Sequence, residues 1–172
     1  MNILFRLIFR KYINEYKKME QLCKYDALTG IHNRLQYEIM KQEIDYSKSL
    51  GIVYADLNML KDINDLYGHA VGDIYIKDFA TILSNIFEKN NCYRIGGDEF
   101  IVIIQNIDPS DFTNKVNKLK YDTNISNKYI ASIGYDYKCK PNTIEKMILT
   151  SERMMYEDKK LYHEIYKNSN AN

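Results

Sequence analysis

The chain has 172 residues, 45% of them hydrophobic, with only 2 Pro and 7 Gly and a formal net charge of +1. That length fits one globular domain plus a short appendage, and the composition excludes a disordered chain. Near-neutrality excludes capture of nucleic acid by a global field, and Cys23, Cys92 and Cys139, widely spaced and without a Cys-x-x-Cys pair, exclude a disulfide framework or zinc site and suit a reducing, cytoplasmic setting.

Charge is unevenly spread. Residues 1–24 carry six Lys/Arg against Glu15 and Glu20, a local +4 that leaves −3 on the remainder. In this basic leader Leu4, Leu7, Ile8, Tyr12 and Ile13 recur at helical spacing, which predicts one amphipathic helix over 3–24. No stretch approaches the ~20 apolar residues of a membrane span, and no small-residue cleavage site follows. Three uses for the helix stay open: pairing with a second copy, docking on its own domain, or lying on an anionic membrane surface. The first two are favoured over the third.

A turn at Asp26–Gly30 precedes a predicted helix over Asn33–Ile44. The run Gly51-Ile-Val-Tyr-Ala-Asp56 is short, apolar and β-branched, and reads as a buried strand that ends on a carboxylate. A helical segment around Lys61–Leu66 and a glycine-bounded turn from Gly68 to Gly72 come next. An amphipathic helix over Asp73–Phe87 follows, with Ile76, Phe79, Ala80, Leu83 and Ile86 on its apolar face. Runs at Asn91–Ile95 and Glu99–Gln105 flank Gly96-Gly97 and predict a hairpin. A helix over Ser110–Tyr121, a strand over Lys128–Tyr137 and a helix over Thr143–Tyr166, capped by Asn142, complete the chain. This order predicts an α/β (α+β) domain whose sheet contains antiparallel strands and carries helices on its faces.

The chemistry gathers where strands run out. Asp56 ends one strand, and Asp98 and Glu99 sit in the hairpin turn. If the hairpin lies beside the first strand, three carboxylates converge, a hard-oxygen set suited to Mg²⁺ and a phosphate ligand. Alone, Asp98 reads as a turn former and Asp56 as a solvated strand terminus; the block between Asp56 and Asp73 shifts the balance. There the strand gives way to a helix start whose free N–H groups attract phosphate, with Lys61 as a further point charge. Asn64 and Asp73 flank the glycine-bounded loop, and an amide plus a carboxylate match the Watson–Crick edge of guanine. The plain alternatives are a surface lysine and two helix caps.

Five segments then resemble, in order and spacing, the signatures of GGDEF-domain diguanylate cyclases: Tyr25-Asp-Ala-Leu-Thr-Gly-Ile-His-Asn-Arg34, the Asp56–Asp73 block, Arg94-Ile-Gly-Gly-Asp-Glu-Phe100, Ser132-Ile-Gly134 and Met155-Tyr-Glu-Asp-Lys159. The resemblance covers about residues 23–165 and implies a nucleotidyl cyclase/polymerase palm-like mixed sheet flanked by helices. It divides the chain into a linker or dimerisation helix (1–22), the cyclase domain (23–167) and a tail (168–172). It implies an enzyme that condenses two GTP into cyclic di-GMP. Asp56, Asp98, Glu99 and the Leu57 carbonyl would hold Mg²⁺ or Mn²⁺, and Glu99 would deprotonate the attacking 3′-hydroxyl. Asn64 and Asp73 would read guanine, and Lys61 and Lys159 would bind the triphosphate.

In this family two domains must face each other, so a homodimer is the implied working unit, with no nucleic acid partner. The family's Arg-x-x-Asp product-inhibition site falls on Phe87 and Asn90 here, so that feedback is expected to be absent. His163 takes the place of a second phosphate-binding arginine. The competing readings are a catalytically silent GGDEF module that binds GTP or a partner protein, and a cyclase with altered base choice.

Overall fold

The computed structural model describes residues 3–124 and 129–169. In chain order the elements are α1 (Ile3–Lys24), α2 (Arg34–Gln42), β1 (Leu50–Leu57), α3 (Leu60–Tyr67) and α4 (His69–Phe87). After these come β2 (Cys92–Arg94), β3 (Glu99–Gln105), α5 (Pro109–Thr123), β4 (Ala131–Lys138) and α6 (Ile144–Ser169). The four strands form one sheet in the order β2-β3-β1-β4, each neighbour antiparallel to the next. An isolated parallel bridge joins His32 to Tyr93 beside β2. The expected palm-like sheet with helices on its faces is what the chain forms.

β1 is buried along its whole length, as a central strand covered on both faces must be. Its side chains alternate between two cores. Val53, Ala55 and Leu57 pack with Phe79 and Leu83 of α4 and Phe112 and Val116 of α5. Ile52 and Tyr54 pack with Tyr37 of α2 and Met147 and Met155 of α6. Each fully buried large side chain contributes about 1.5–3 kcal/mol of hydrophobic stabilisation. The Phe79–Phe100 edge contact, centroids 5.0 Å apart, adds about 1 kcal/mol to the first core. Cys92 is buried and its thiol is pushed up to about 12 by that burial, which suits an inert packing residue; Cys23 and Cys139 are exposed and free.

Several boundaries differ from the sequence expectation by one to four residues, three of them at element starts with a visible cause or consequence. α4 begins at His69, not Asp73, because Gly68 alone makes the break, at φ 84°, and Gly72 is already helical. Gly72 is there for a close approach: a Cβ at this position would collide with the Asn64 side chain of α3. α6 begins at Ile144, and its first turn is capped by Thr143, whose Oγ1 accepts from the Lys146 N–H at 3.4 Å, rather than by Asn142. β4 begins at Ala131, later than expected; Lys128 lies outside the described residues, as do residues 170–172 of the expected tail.

α1 projects from the domain. Ile8 and Tyr12, expected on its apolar face, are exposed in the single chain, together with Phe5, Phe9, Tyr16 and Met19; the side chains of Leu4 and Leu7 lie outside the described residues. No described helix is long and apolar enough to cross a membrane. The foot of α1 is tightly held. Asn33 caps α2 by accepting from the Gln36 N–H at 3.0 Å, while its Nδ2 donates to the Cys23 carbonyl at 2.9 Å. Arg94 donates to Asp26 Oδ1 at 3.1 Å and to the Gly97 carbonyl at 2.8 Å, tying this joint to the β2–β3 hairpin.

α6 is set on the sheet by two contacts. At Gly134, opposite Tyr54 in the β1–β4 register, a Cβ would run into the backbone of α6 at Ser151 and Met155. One turn on, Asp158 Oδ2 accepts from the Ile133 N–H at 2.8 Å. Gly134→Ala must push α6 off β4. It should cost about 3 kcal/mol, the upper end of overpacking penalties, read as a lowered urea midpoint.

Asp26 offers a second test. Burial opposes its ionisation, but the Thr29 hydroxyl and N–H and the Arg94 guanidinium together outweigh that and hold its carboxyl below the usual value. A carboxyl lowered in the folded state stabilises above its unfolded pKa, and that contribution is lost as pH falls through the folded one. Asp26→Asn should therefore cost about 1–2 kcal/mol at pH 7. The gap to wild type should narrow below about pH 4 in urea titrations across pH.

Candidate functional site

The C-terminal end of β1 and the turn before β3 meet at one rim of the sheet. Asp56 pairs in register with Glu99, and the Leu57 N–H donates to the Asp98 carbonyl at 2.9 Å. Neighbouring residues 98 and 99 point to opposite faces, so the rim has two sides. On the α6 side a groove of about 710 Å³ contains Asp56, Glu99, Lys159, Lys160, Arg153 and His163. On the α3 side a shallower depression of about 330 Å³ contains Lys61, Asn64, Asp65, His69, Gly97 and Asp98.

Asp56 is 8% exposed, and Lys159 Nζ lies 2.5 Å from its Oδ1. Burial raises the Asp56 carboxyl most; Lys159 opposes this by hydrogen bond and charge, and the nearby carboxylates of Asp98 and Glu99 raise it further. The net shift is upward, which means one ammonium does not offset both burial and two like charges. Asp98 and Glu99 thus both act on Asp56 across the rim, although Asp98 opens into the neighbouring depression. Among the described residues no group of three His, Cys, Asp or Glu side chains stands assembled as a metal cluster.

On the α3 side, Met59 adopts φ 60° and leads into α3 with no side chain capping its first N–H groups. Those groups are left for a ligand or water. Behind them Asn58 is buried, donating to the Tyr129 carbonyl at 3.1 Å and accepting from the Ser132 hydroxyl at 2.9 Å. Lys61, Asn64 and Asp98 thus share one depression. Asp73 is exposed on the first turns of α4, next to Gly72 where α4 packs on Asn64, and does not line that depression.

Two neighbours escaped the reading of the sequence. Tyr54, two residues before Asp56 and on the same strand face, donates its hydroxyl to Glu99 Oε1 at 2.8 Å. Tyr156, three residues before Lys159, lines the same groove as His163, which the family resemblance had already placed at the phosphate site. Period-two and period-3.6 spacing from the signature residues would have found each. His69 also lines the α3-side depression.

The family model described as "Diguanylate cyclase, GGDEF domain" matches residues 23–163. The chain is 38% identical over 97 residues to diguanylate cyclase DgcS of Shewanella oneidensis, covering 53% of this chain and 33% of that protein. It is 27% identical over 161 residues to the bifunctional diguanylate cyclase/cyclic di-GMP phosphodiesterase MucR of Pseudomonas aeruginosa, covering 83% of this chain and 23% of that one. The chain thus spans a third or less of these relatives. In fold it resembles the coiled coil and GGDEF domain of DgcB from Caulobacter crescentus, solved with c-di-GMP, at a TM-score of 0.75 and 15% identity over 90% of each chain. The family match begins at the foot of α1 and ends beyond Lys159, so it takes in the entire sheet and both sides of the rim: the chain belongs to the GGDEF-domain diguanylate cyclase family.

Proposed function

We propose that the domain is an active diguanylate cyclase, joining two GTP molecules into cyclic di-GMP with release of two pyrophosphates. The observation that carries this reading is the pairing of Asp56 with Glu99 at a rim whose other side presents Asp98, Lys61 and Asn64.

The rim suits a divalent cation. Its donors are hard oxygens without histidine or thiolate, and an ammonium already sits on the buried Asp56 carboxylate, where positive charge is needed. Asp56, Asp98, Glu99 and the Leu57 carbonyl are the residues that would hold Mg²⁺ or Mn²⁺, which when bound supplies positive charge at the α-phosphate and the attacking oxygen. Lys159 then exchanges Asp56 for the triphosphate, and Lys61 and the uncapped start of α3 take its other oxygens. Asn64 and Asp73 receive guanine. Glu99 accepts the proton of the 3′-hydroxyl as its oxygen bonds to the α-phosphorus of the second GTP; the bond to pyrophosphate breaks, and the step is repeated for the second linkage.

Both steps need two domains face to face. α1 supports such pairing: Phe5, Phe9, Tyr12, Tyr16 and Met19, spaced alternately by four and three, are each more than half exposed. That is the 3.5-residue period of a coiled-coil seam. Free cysteines and the absence of a spanning helix among the described residues are compatible with work in the cytoplasm.

Asp98→Ala should abolish cyclic di-GMP formation, by at least ~10³-fold, while leaving the urea midpoint near wild type, because its backbone bond to Leu57 survives. Mass spectrometry of products from GTP, ATP and their mixture with Mg²⁺ reads the outcome. GTP binding without turnover by the wild type would instead favour a silent GTP-binding module, and an adenine-containing product an altered base choice. Removing residues 1–22 should lower specific activity most at low protein concentration, and an unchanged concentration dependence would count against pairing through α1.

A further inference from the structure

Glu99 is the least anchored acid of the rim by sequence: a long side chain in a glycine-rich turn, with the nearby lysine committed to Asp56. Yet its carboxylate is hydrogen-bonded at one oxygen and closely packed at the other. Tyr54 lies two residues before Asp56 on β1, so it shares the α6 face and is the diagonal neighbour of Glu99 across the β1–β3 pairing. Its ring is 5% exposed in the core beside Ile52, Ile101 and Met155. The hydroxyl alone reaches the rim, where it donates to Glu99 Oε1 at 2.8 Å. The second oxygen, Oε2, packs over Gly96 so closely that a Cβ there would come within 2.5 Å of it.

We propose that Tyr54 is a positioning residue for Glu99: its hydroxyl, working against the bare backbone of Gly96, holds the carboxylate facing the groove it shares with Asp56. The proposal rests on the cyclase reading and deepens it. A free glutamate samples many rotamers in a turn, and only those that aim an oxygen at the incoming 3′-hydroxyl can accept its proton. A rigid aromatic stem rooted in the core fixes one such orientation before substrate arrives. Phenylalanine at position 54 keeps the stem and loses the hold.

Four proteins test this: wild type, Tyr54→Phe, Glu99→Ala and the double variant. For Tyr54→Phe we expect kcat to fall about 10- to 100-fold, the range for losing a partner that orients a ligating or catalytic group, with KM for GTP within about twofold of wild type. The urea midpoint should drop on Tyr54→Phe in the wild-type background and not in the Glu99→Ala background, since the hydroxyl then has nothing to hold. A wild-type kcat in Tyr54→Phe, or an equal midpoint loss in both backgrounds, overturns the assignment. If wild type itself makes no cyclic di-GMP, the cyclase reading is what fails; the midpoint cycle still reports whether the tyrosine positions the carboxylate.

Discussion

A carboxylate buried at the end of a strand covered on both faces has to be compensated by charge from elsewhere. Asp56 is that group, and its compensation comes from Lys159, 103 residues further along the chain. The ammonium can arrive only if α6 lies at one height on β4. Gly134 and the Asp158–Ile133 hydrogen bond set that height. Seen this way, much of the α6 side of the fold, from Ile144 and Met147 in the core to Lys159 at the rim, serves to bring one positive charge to one negative one. The net upward shift of the Asp56 carboxyl shows that the compensation is incomplete, which is the state expected of a site that takes its remaining positive charge from a ligand.

The two sides of the rim divide the work. Strand alternation sends Tyr54, Asp56 and Glu99 toward α6 and leaves Asp98 toward α3. The groups proposed to handle the reacting oxygen therefore gather on a core-backed face. Groups suited to base and phosphate recognition stand on the short α3 and the loop before it. The packing of α3 on α4 through Asn64 and Gly72 makes that second side rigid in turn.

The family signatures were readable from the sequence because they are local: a carboxylate after a β-branched run and a glycine pair between two strands need only a few neighbours to be recognised. The partners of those residues were not, because they depend on register. Asp98 and Glu99 both act on Asp56, as their expected convergence requires, but that they open into two different depressions was not legible from the sequence. The α4 start was misplaced because Gly72 was taken for a turn former, whereas its lack of a side chain serves the Asn64 contact. For α1, Leu4, Leu7, Ile8, Tyr12 and Ile13 made a plausible stripe at period 3.6. Over a helix this short, 3.5 and 3.6 are barely distinguishable, and the exposed aromatic seam was overlooked.

The joint at Asn33 has a mechanical meaning. One side chain closes the end of α1 and the beginning of α2, and through Asp26 and Arg94 the same joint grips the turn carrying Asp98 and Glu99. α1, at 22 residues, is a lever roughly 33 Å long with its fulcrum beside the turn that carries Asp98. A swing of about 10° at the fulcrum moves the far tip by roughly 6 Å at the helical rise of 1.5 Å per residue. The length of α1 therefore converts a large displacement at its tip into a small angle at the joint.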